Sequence, residues 1–379
     1  MHILIAPNAF KNSLGAAAVA EAIAEGLLQS NLECTTECFP VGDGGDGTGV
    51  LLSSKLNAAI ISVEVLDPLR RRIACSYGLT GNDSTAIIEM SAASGLRLLN
   101  REEYDPLHAS SFGTGQLIVD ALQKKARNII IAIGGSATVD AGTGILQALG
   151  IRFLDANDKE LFDLPDKLYQ LKRIDTTSLN PFIKTATITV LCDVENTLLG
   201  LNGAAAVFGP QKGARPSDVL KLDAALAHFS EVVYKQTGKD MVSLKHGGAA
   251  GGIAAALHCL LGAALVNGID YFLGRTNFNS ALEKANLVIT GEGSIDLQTL
   301  QGKAPWGVAK RAKEKNIPVI GMAGMVPKIN EPKLNEYFDR LLSINKEPFD
   351  ISSAIKNTRE NLVSTSKKLG DQLALPKLS

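Results

Sequence analysis

Ile129-Ile130-Ile131-Ala132-Ile133-Gly134-Gly135-Ser136-Ala137-Thr138 is the stretch from which the rest of the chain can be read. Five apolar residues without alternation predict a strand covered on both faces, as parallel sheets require. The Gly-Gly-Ser-Ala-Thr that follows is predicted to open a helix, which Gly150 closes. Buried strand, polar glycine-containing loop and helix together make one βα unit.

The same unit recurs in both directions. Ile3 to Ala6 predicts a strand, Pro7 to Asn12 a loop, Ser13 an N-cap and Leu14 to Leu28 a helix with Val19, Ile23 and Leu27 on one face. Thr114 precedes a helix that ends near Lys125, and Ala186 to Leu191 is another strand, ending in Cys192-Asp193. Leu287 to Thr290 predicts a strand, Gly291 to Asp296 a turn, Pro305 to Lys315 a helix and Pro318 to Met322 a further strand. From Asp350 the chain reads as one polar helix, Ser353 to Gly370, and a frayed tail. Such alternation predicts α/β architecture with mainly parallel sheets and ligand-binding loops at the carboxyl ends of the strands.

Composition excludes several classes. With 38 Lys and Arg against 39 Asp and Glu, the 379 residues lack the basic footprint of a nucleic-acid binder. Nineteen aromatics are few for base stacking. Five scattered cysteines (34, 38, 75, 192 and 259) read as reduced intracellular thiols, and Cys34 and Cys38 have no partners for zinc. The start, Met1-His2-Ile3-Leu4, lacks a basic signal-peptide region, so a cytoplasmic protein is expected. Gly247 to Val266 carries no charge but is rich in Gly and Ala with His258 inside; it reads as a ligand loop and a buried helix, not a membrane span.

The 36 glycines fall largely in clusters with embedded polar residues: Gly42 to Gly49, Gly113 to Gly115, Gly134 to Thr138, Gly247 to Gly252 and Gly291 to Gly293. None forms G-x-x-x-x-G-K-[ST], which removes the main support for a Walker-type ATPase. Gly113-Thr114-Gly115, Gly142-Thr143-Gly144 and Gly291-Glu292-Gly293 fail at the third glycine of G-x-G-x-x-G, and Gly42 to Gly47, which has that spacing, follows no unbroken apolar strand, so a dinucleotide-type dehydrogenase has little support. Any single cluster serves a tight turn. Five of them point to backbone amides gripping phosphate. Asp43 and Asp46 sit in a glycine loop where no regular element demands them, and Asp193 follows a buried strand. Phosphoryl transfer needs a carboxylate for the attacking hydroxyl's proton and others for Mg²⁺. Asp140 reads as a first-turn residue complementing a helix dipole, Asp296 as a cap, and His108 and His246 as polar loop residues. Lys11 and Lys212 lie beside small residues, where each pairs with an anion or is simply solvated.

Taken in order, the loops resemble the bacterial glycerate kinases often called type I. The resemblance runs from Ile3 to about Gly324. It lies in Ala6-Pro7-Asn8-Ala9-Phe10-Lys11, Asp43-Gly44-Gly45-Asp46-Gly47-Thr48, Ile88-Glu89-Met90-Ser91, Ser111-Phe112-Gly113-Thr114-Gly115 and Gly134 to Thr138. It continues in Cys192-Asp193-Val194-Glu195-Asn196, Phe208-Gly209-Pro210-Gln211-Lys212-Gly213, Gly248 to Gly252, and Ile289 to Gly293 leading to Gly302-Lys303. The resemblance implies ATP- and Mg²⁺-dependent phosphorylation of D-glycerate, usually at the 2-hydroxyl. It also implies two α/β domains with the active site in the cleft between them. A Rossmann/flavodoxin-like domain would comprise 1–68 and 284–379, with 69–283 inserted as a second α/β domain. A monomer or homodimer without nucleic-acid or membrane partners is expected.

Within that reading Asp193 is the general base and Lys11 a second catalytic residue. Asp43 and Glu292 place the metal. Substrate and phosphate contacts are expected from Asn8, Ser91, Ser111, Thr114, Gly134, Gly135, Ser136, Thr138, Lys212, Gly251 and Gly291. Asn8 stands where the family usually has Asp, and Val139 where it usually has Asn. The alternatives are a kinase for a related hydroxy-acid, such as a four-carbon aldonate, and a sensor that binds an organic acid without catalysis.

Overall fold

The computed structural model describes residues 1–81, 84–329, 331–345 and 350–375. The chain forms two compact units, Met1–Asp43 with Ile269–Ser379, and Gly44–Gly268. The boundaries expected near Pro68 and Glu283 lie further along the chain than these limits. The hairpin of strands Ala59–Leu66 and Arg72–Leu79 pairs into the sheet of the second unit, which draws the residues before Pro68 into it.

In the first unit five strands lie in the order Arg340–Ser343, Val319–Met325, Leu287–Ser294, His2–Ile5, Thr35–Cys38, all parallel. Ile3, Ile5, Leu287 and Ile289 fill the core on this sheet, with Val19, Ile23 and Leu27 from the helix Ala16–Leu28. Chain direction across the sheet reverses between His2–Ile5 and Leu287–Ser294, since one strand leads outward to Thr35–Cys38 and the other to Val319–Met325. Ligands of open α/β sheets bind at such a switch point.

The second unit holds a six-stranded sheet in the order Ala264–Asn267, Thr187–Cys192, Asn128–Ala132, Thr85–Glu89, Arg72–Leu79, Ala59–Leu66. The first four strands are parallel, and the hairpin closes the edge antiparallel. Ile129 to Ile133 are each at most 2% exposed, as a strand sandwiched between helices demands. Burial of one such side chain is worth roughly 1.5–3 kcal/mol.

The mainly parallel α/β reading holds, and several local expectations change. The helix after the central strand begins at Thr143, and 134–142 is an irregular loop because Gly135, Ala141 and Gly142 all have positive φ. Thr114 lies inside the helix Phe112–Gln123. Gly291 to Ser294 continue a strand. Ser13 caps no helix; Gly15 does, while the Ser13 hydroxyl donates to the Ile355 carbonyl. The C-terminal helix is two, Ile351–Lys356 and Thr358–Ala374, and the end of the expected tail, 376–379, lies outside the described residues. Gly247 to Val266 contains left-handed turns at 250–252, a helix that is buried from Ile253 to Leu257, and a strand. Among the described residues no helix is long and apolar enough to cross a membrane.

Gly134 shows why glycine is needed where the loops meet. Its N–H donates to the Gly44 carbonyl at 2.9 Å, and a Cβ there would lie 2.4 Å from the Gly45 Cα. Gly134→Ala is therefore expected to destabilise by roughly 1–3 kcal/mol through overpacking of backbone on backbone. An unchanged urea midpoint would show that the loops part freely.

Candidate active site

In the first unit the polar residues gather at the switch point. The Asn8 N–H donates to the Gly291 carbonyl at 2.8 Å, which docks the loop after His2–Ile5 onto the neighbouring strand. The Asn8 side-chain amide donates to Asp43 Oδ2 at 2.9 Å and its own oxygen accepts from the Ala9 N–H. Asn8 is thus the donor that holds Asp43, a part an ionised Asp at position 8 could not play.

Glu292 lies near the carboxyl end of the strand Leu287–Ser294, and its Oε1 accepts from the Thr299 hydroxyl at 3.0 Å. Asp43 and Glu292 are both buried. Burial pushes the Glu292 carboxyl up to about 7; Lys303, the Thr299 hydrogen bond and Lys11 act against this, while the Asp43 charge adds to it. Two carboxylates sharing a desolvated site favour a cation between them. Their hard oxygens fit Mg²⁺, which takes one or two carboxylates and completes its shell with phosphate and water. Among the described residues no group of three or more His, Cys, Asp or Glu is arranged to hold a metal ion.

In the second unit the centre is Lys212. Its Nζ donates to the Ser136 hydroxyl and to the Thr138 carbonyl, both at 2.7 Å, and the residue is 3% exposed. Burial lowers its pKa to about 7, against the opposing pull of Asp140. Asp140, fully buried, accepts from the Ser111 N–H and hydroxyl at 3.0 and 2.6 Å, from the Gly142 N–H at 3.0 Å and from the Gly144 N–H at 3.3 Å. It sits in the loop ahead of the helix and ties two loops together, a larger part than complementing a dipole.

The expected residues divide between these groups. Asn8, Asp43, Glu292 and Gly291 are brought together, with Lys11 exposed in the adjoining loop. Ser136, Thr138 and Lys212 also converge. Gly251, in a left-handed turn, accepts through its carbonyl from the Ala141 N–H and packs against Thr138. Asp193 follows the strand Thr187–Cys192 and is half-buried. The Gly135 carbonyl accepts from the Leu96 N–H.

Three hydroxyls face inward. Ser91 donates to Glu89 at 2.9 Å, Ser111 to Asp140, and Thr114 to the Ser94 hydroxyl at 2.8 Å, all from fully buried positions. They brace the loops. Val139 is buried in the core beneath Gly251, so the departure at 139 places methyl groups in the packing.

Glu89, Thr299 and Lys303 carry parts that spacing did not reveal. Glu89 accepts from the Gly47 and Gly49 N–H groups at 2.8 and 3.1 Å, and so holds the early glycine loop. Its place at the carboxyl end of the strand Thr85–Glu89 was the available signal, as the Gly302-Lys303 pair was for Lys303.

The depressed Lys212 pKa carries a sign for stability. Below about pH 7 both folded and unfolded chains hold the charge, and the fold bears its full desolvation cost. Above pH 10.5 neither does. Stability from this group therefore rises across that window, by on the order of a few kcal/mol. Lys212→Met should remove the rise. Urea midpoints with the same pH slope in parent and variant would contradict it.

The model of the Glycerate kinase family matches residues 3–374. The chain is 41% identical over 379 residues to a glycerate 2-kinase of Escherichia coli K12, covering 99% of this chain and 98% of that one. It is 40% identical over 354 residues to a glycerate kinase of Halalkalibacterium halodurans, covering 93% of each. A crystal structure of a candidate glycerate kinase 2 from Salmonella typhimurium LT2 superposes with a TM-score of 0.80 at 41% identity, covering 98% of each chain.

Proposed function

Since the chain belongs to the glycerate kinase family, a phosphotransferase family with an alcohol as acceptor, we propose that it transfers the γ-phosphoryl group of ATP to the 2-hydroxyl of D-glycerate, giving 2-phosphoglycerate. The observation that carries the Mg-ATP part is the burial of Asp43 and Glu292 together at the switch point, with the Lys11 and Lys303 charges acting on Glu292.

Asp43 and Glu292 would hold Mg²⁺, which when bound supplies charge neutralisation between the phosphate oxygens. Asn8 keeps Asp43 aimed, and Thr299 keeps Glu292 aimed. Lys11, in an exposed loop, offers a cation to the phosphates. In the second unit Lys212 gives two of its donors to Ser136 and Thr138, leaving the third N–H of its ammonium form for a carboxylate or phosphate oxygen. Asp193 takes the proton of the attacking hydroxyl.

ADP release measured over a panel of D-glycerate and four-carbon aldonates tests the reading. Turnover is expected with D-glycerate, and 2-phosphoglycerate should be the product. Release confined to an aldonate would change the acceptor, and binding without any release would leave a sensor. Asp193→Asn should lower kcat by at least ~10²-fold if it removes the base. A kcat within a few-fold of the parent would reassign that role. EDTA is expected to abolish turnover and added Mg²⁺ to restore it; full activity in EDTA would sink the metal assignment of Asp43 and Glu292.

A further inference from the structure

At the far edge of the first unit's sheet, the strand Arg340–Ser343, the helix Ile351–Lys356 and one stripe of the helix Thr358–Ala374 line an open cavity of about 470 Å³. Asn361, Thr365, Lys368 and Gln372 recur at helical spacing along this wall. The opposite stripe of the same helix is packed away: a Cβ at Gly26 would lie 2.3 Å from the Val363 carbonyl oxygen, and Gly370 abuts Ser30 as closely. The strand pairs only with Val319–Met325 among the described residues, so its other edge is open.

The lining has a definite chemistry. Arg340 and Lys368 contribute two cations, and among the described residues no Asp or Glu lines the cavity. Most of the other lining groups are amides and hydroxyls. Several are already fixed: Asn361 donates to Asn345 Oδ1 at 2.9 Å, Asn345 to the Gly324 carbonyl at 2.8 Å, and Ser343 to the Asn345 carbonyl at 3.1 Å. Preset neutral donors and acceptors around two cations suit a ligand that is negative at one end and hydroxylated elsewhere. Ser343 shares a cross-strand row with Ala323 and Glu292, which puts the cavity two strand spacings, roughly 10 Å, from the metal-site carboxylate.

We propose that this cavity is a binding site for a small hydroxylated organic anion, a short hydroxy-acid or its phosphate ester, apart from the catalytic residues. Carboxylate and phosphate share the chemistry that Arg340 and Lys368 recognise.

Calorimetric titration of the full chain with D-glycerate, 2-phosphoglycerate, 3-phosphoglycerate, inorganic phosphate and uncharged glycerol tests this. Two variants accompany the parent: Arg340→Ala/Lys368→Ala, which removes the charge, and Ser364→Trp, which fills the space from an exposed position. The parent should show two sites per chain for at least one acid or ester. Both variants should weaken one site by at least ~tenfold, as loss of charge-assisted hydrogen bonds implies. The KM for D-glycerate in dilute buffer should stay within about twofold, because neither variant touches the catalytic residues. Tighter binding of the esters assigns the phosphate end, and tighter binding of glycerate the carboxylate. Identical isotherms in parent and variants would overturn the proposal. So would loss in the charge variant alone with Ser364→Trp unaffected, which reports surface screening, or equal binding of glycerol. A dimer that only the variants dissociate, without anion binding, would overturn it in favour of a second copy at the strand edge.

Discussion

Parallel strands buried on both faces leave their polar connections no place except the strand ends, and this constraint governs the rest of the molecule. In the first unit every strand points the same way, so the loop carrying Asn8, the segment reaching Asp43 and the strand end carrying Glu292 emerge together. In the second unit the four parallel strands deliver Glu89, the Gly134–Gly142 loop and Asp193 to one edge. Chemistry that requires carboxylates and cations close together is thus gathered by the direction of the backbone before any side chain is chosen.

The second unit shows how such an edge is made rigid. Glycine loops there do not simply present amides; they lean on one another through Gly134 and Gly44, and on buried carboxylates through Gly47, Gly49, Gly142 and Gly144. Glu89 and Asp140 act as internal anions that the loop amides grip. The same backbone property that suits a phosphate is used by the protein on itself. Lys212 is the complementary case, a cation gripped by a hydroxyl and a carbonyl.

Much of the fold was legible, for a physical reason. Unbroken apolar runs such as Ile129 to Ile133 have one solution in an α/β protein, and the order of the glycine motifs identified the family that the comparisons also show. The hairpin Ala59–Leu66/Arg72–Leu79 was missed because half-exposed strands lack an unbroken apolar run. Among the candidate residues of the two units, Asp43, Glu292 and Lys212 stood out as charged residues in small-residue surroundings. The hydroxyls of Ser91, Ser111 and Thr114 could not be sorted, since a serine facing a ligand and one facing a buried carboxylate have the same letter and the same spacing. Positive φ at Ala141 and Ala250, which shapes two loops, is likewise invisible where no glycine announces it.

The first unit is assembled from segments far apart in the chain: the Thr290 hydroxyl donates to the Ala6 carbonyl across 284 positions. Its sheet cannot acquire its central pairing during synthesis until more than three quarters of the protein has been made. The contiguous second unit is free to fold meanwhile, and once compact it replaces a long flexible spacer by a folded body, reducing the entropy lost when the distant strands meet. Until then one edge of the strand His2–Ile5 lacks its partner Leu287–Ser294, and the apolar face of Ala16–Leu28 lacks part of its cover, which makes the early nascent chain the stage most exposed to aggregation.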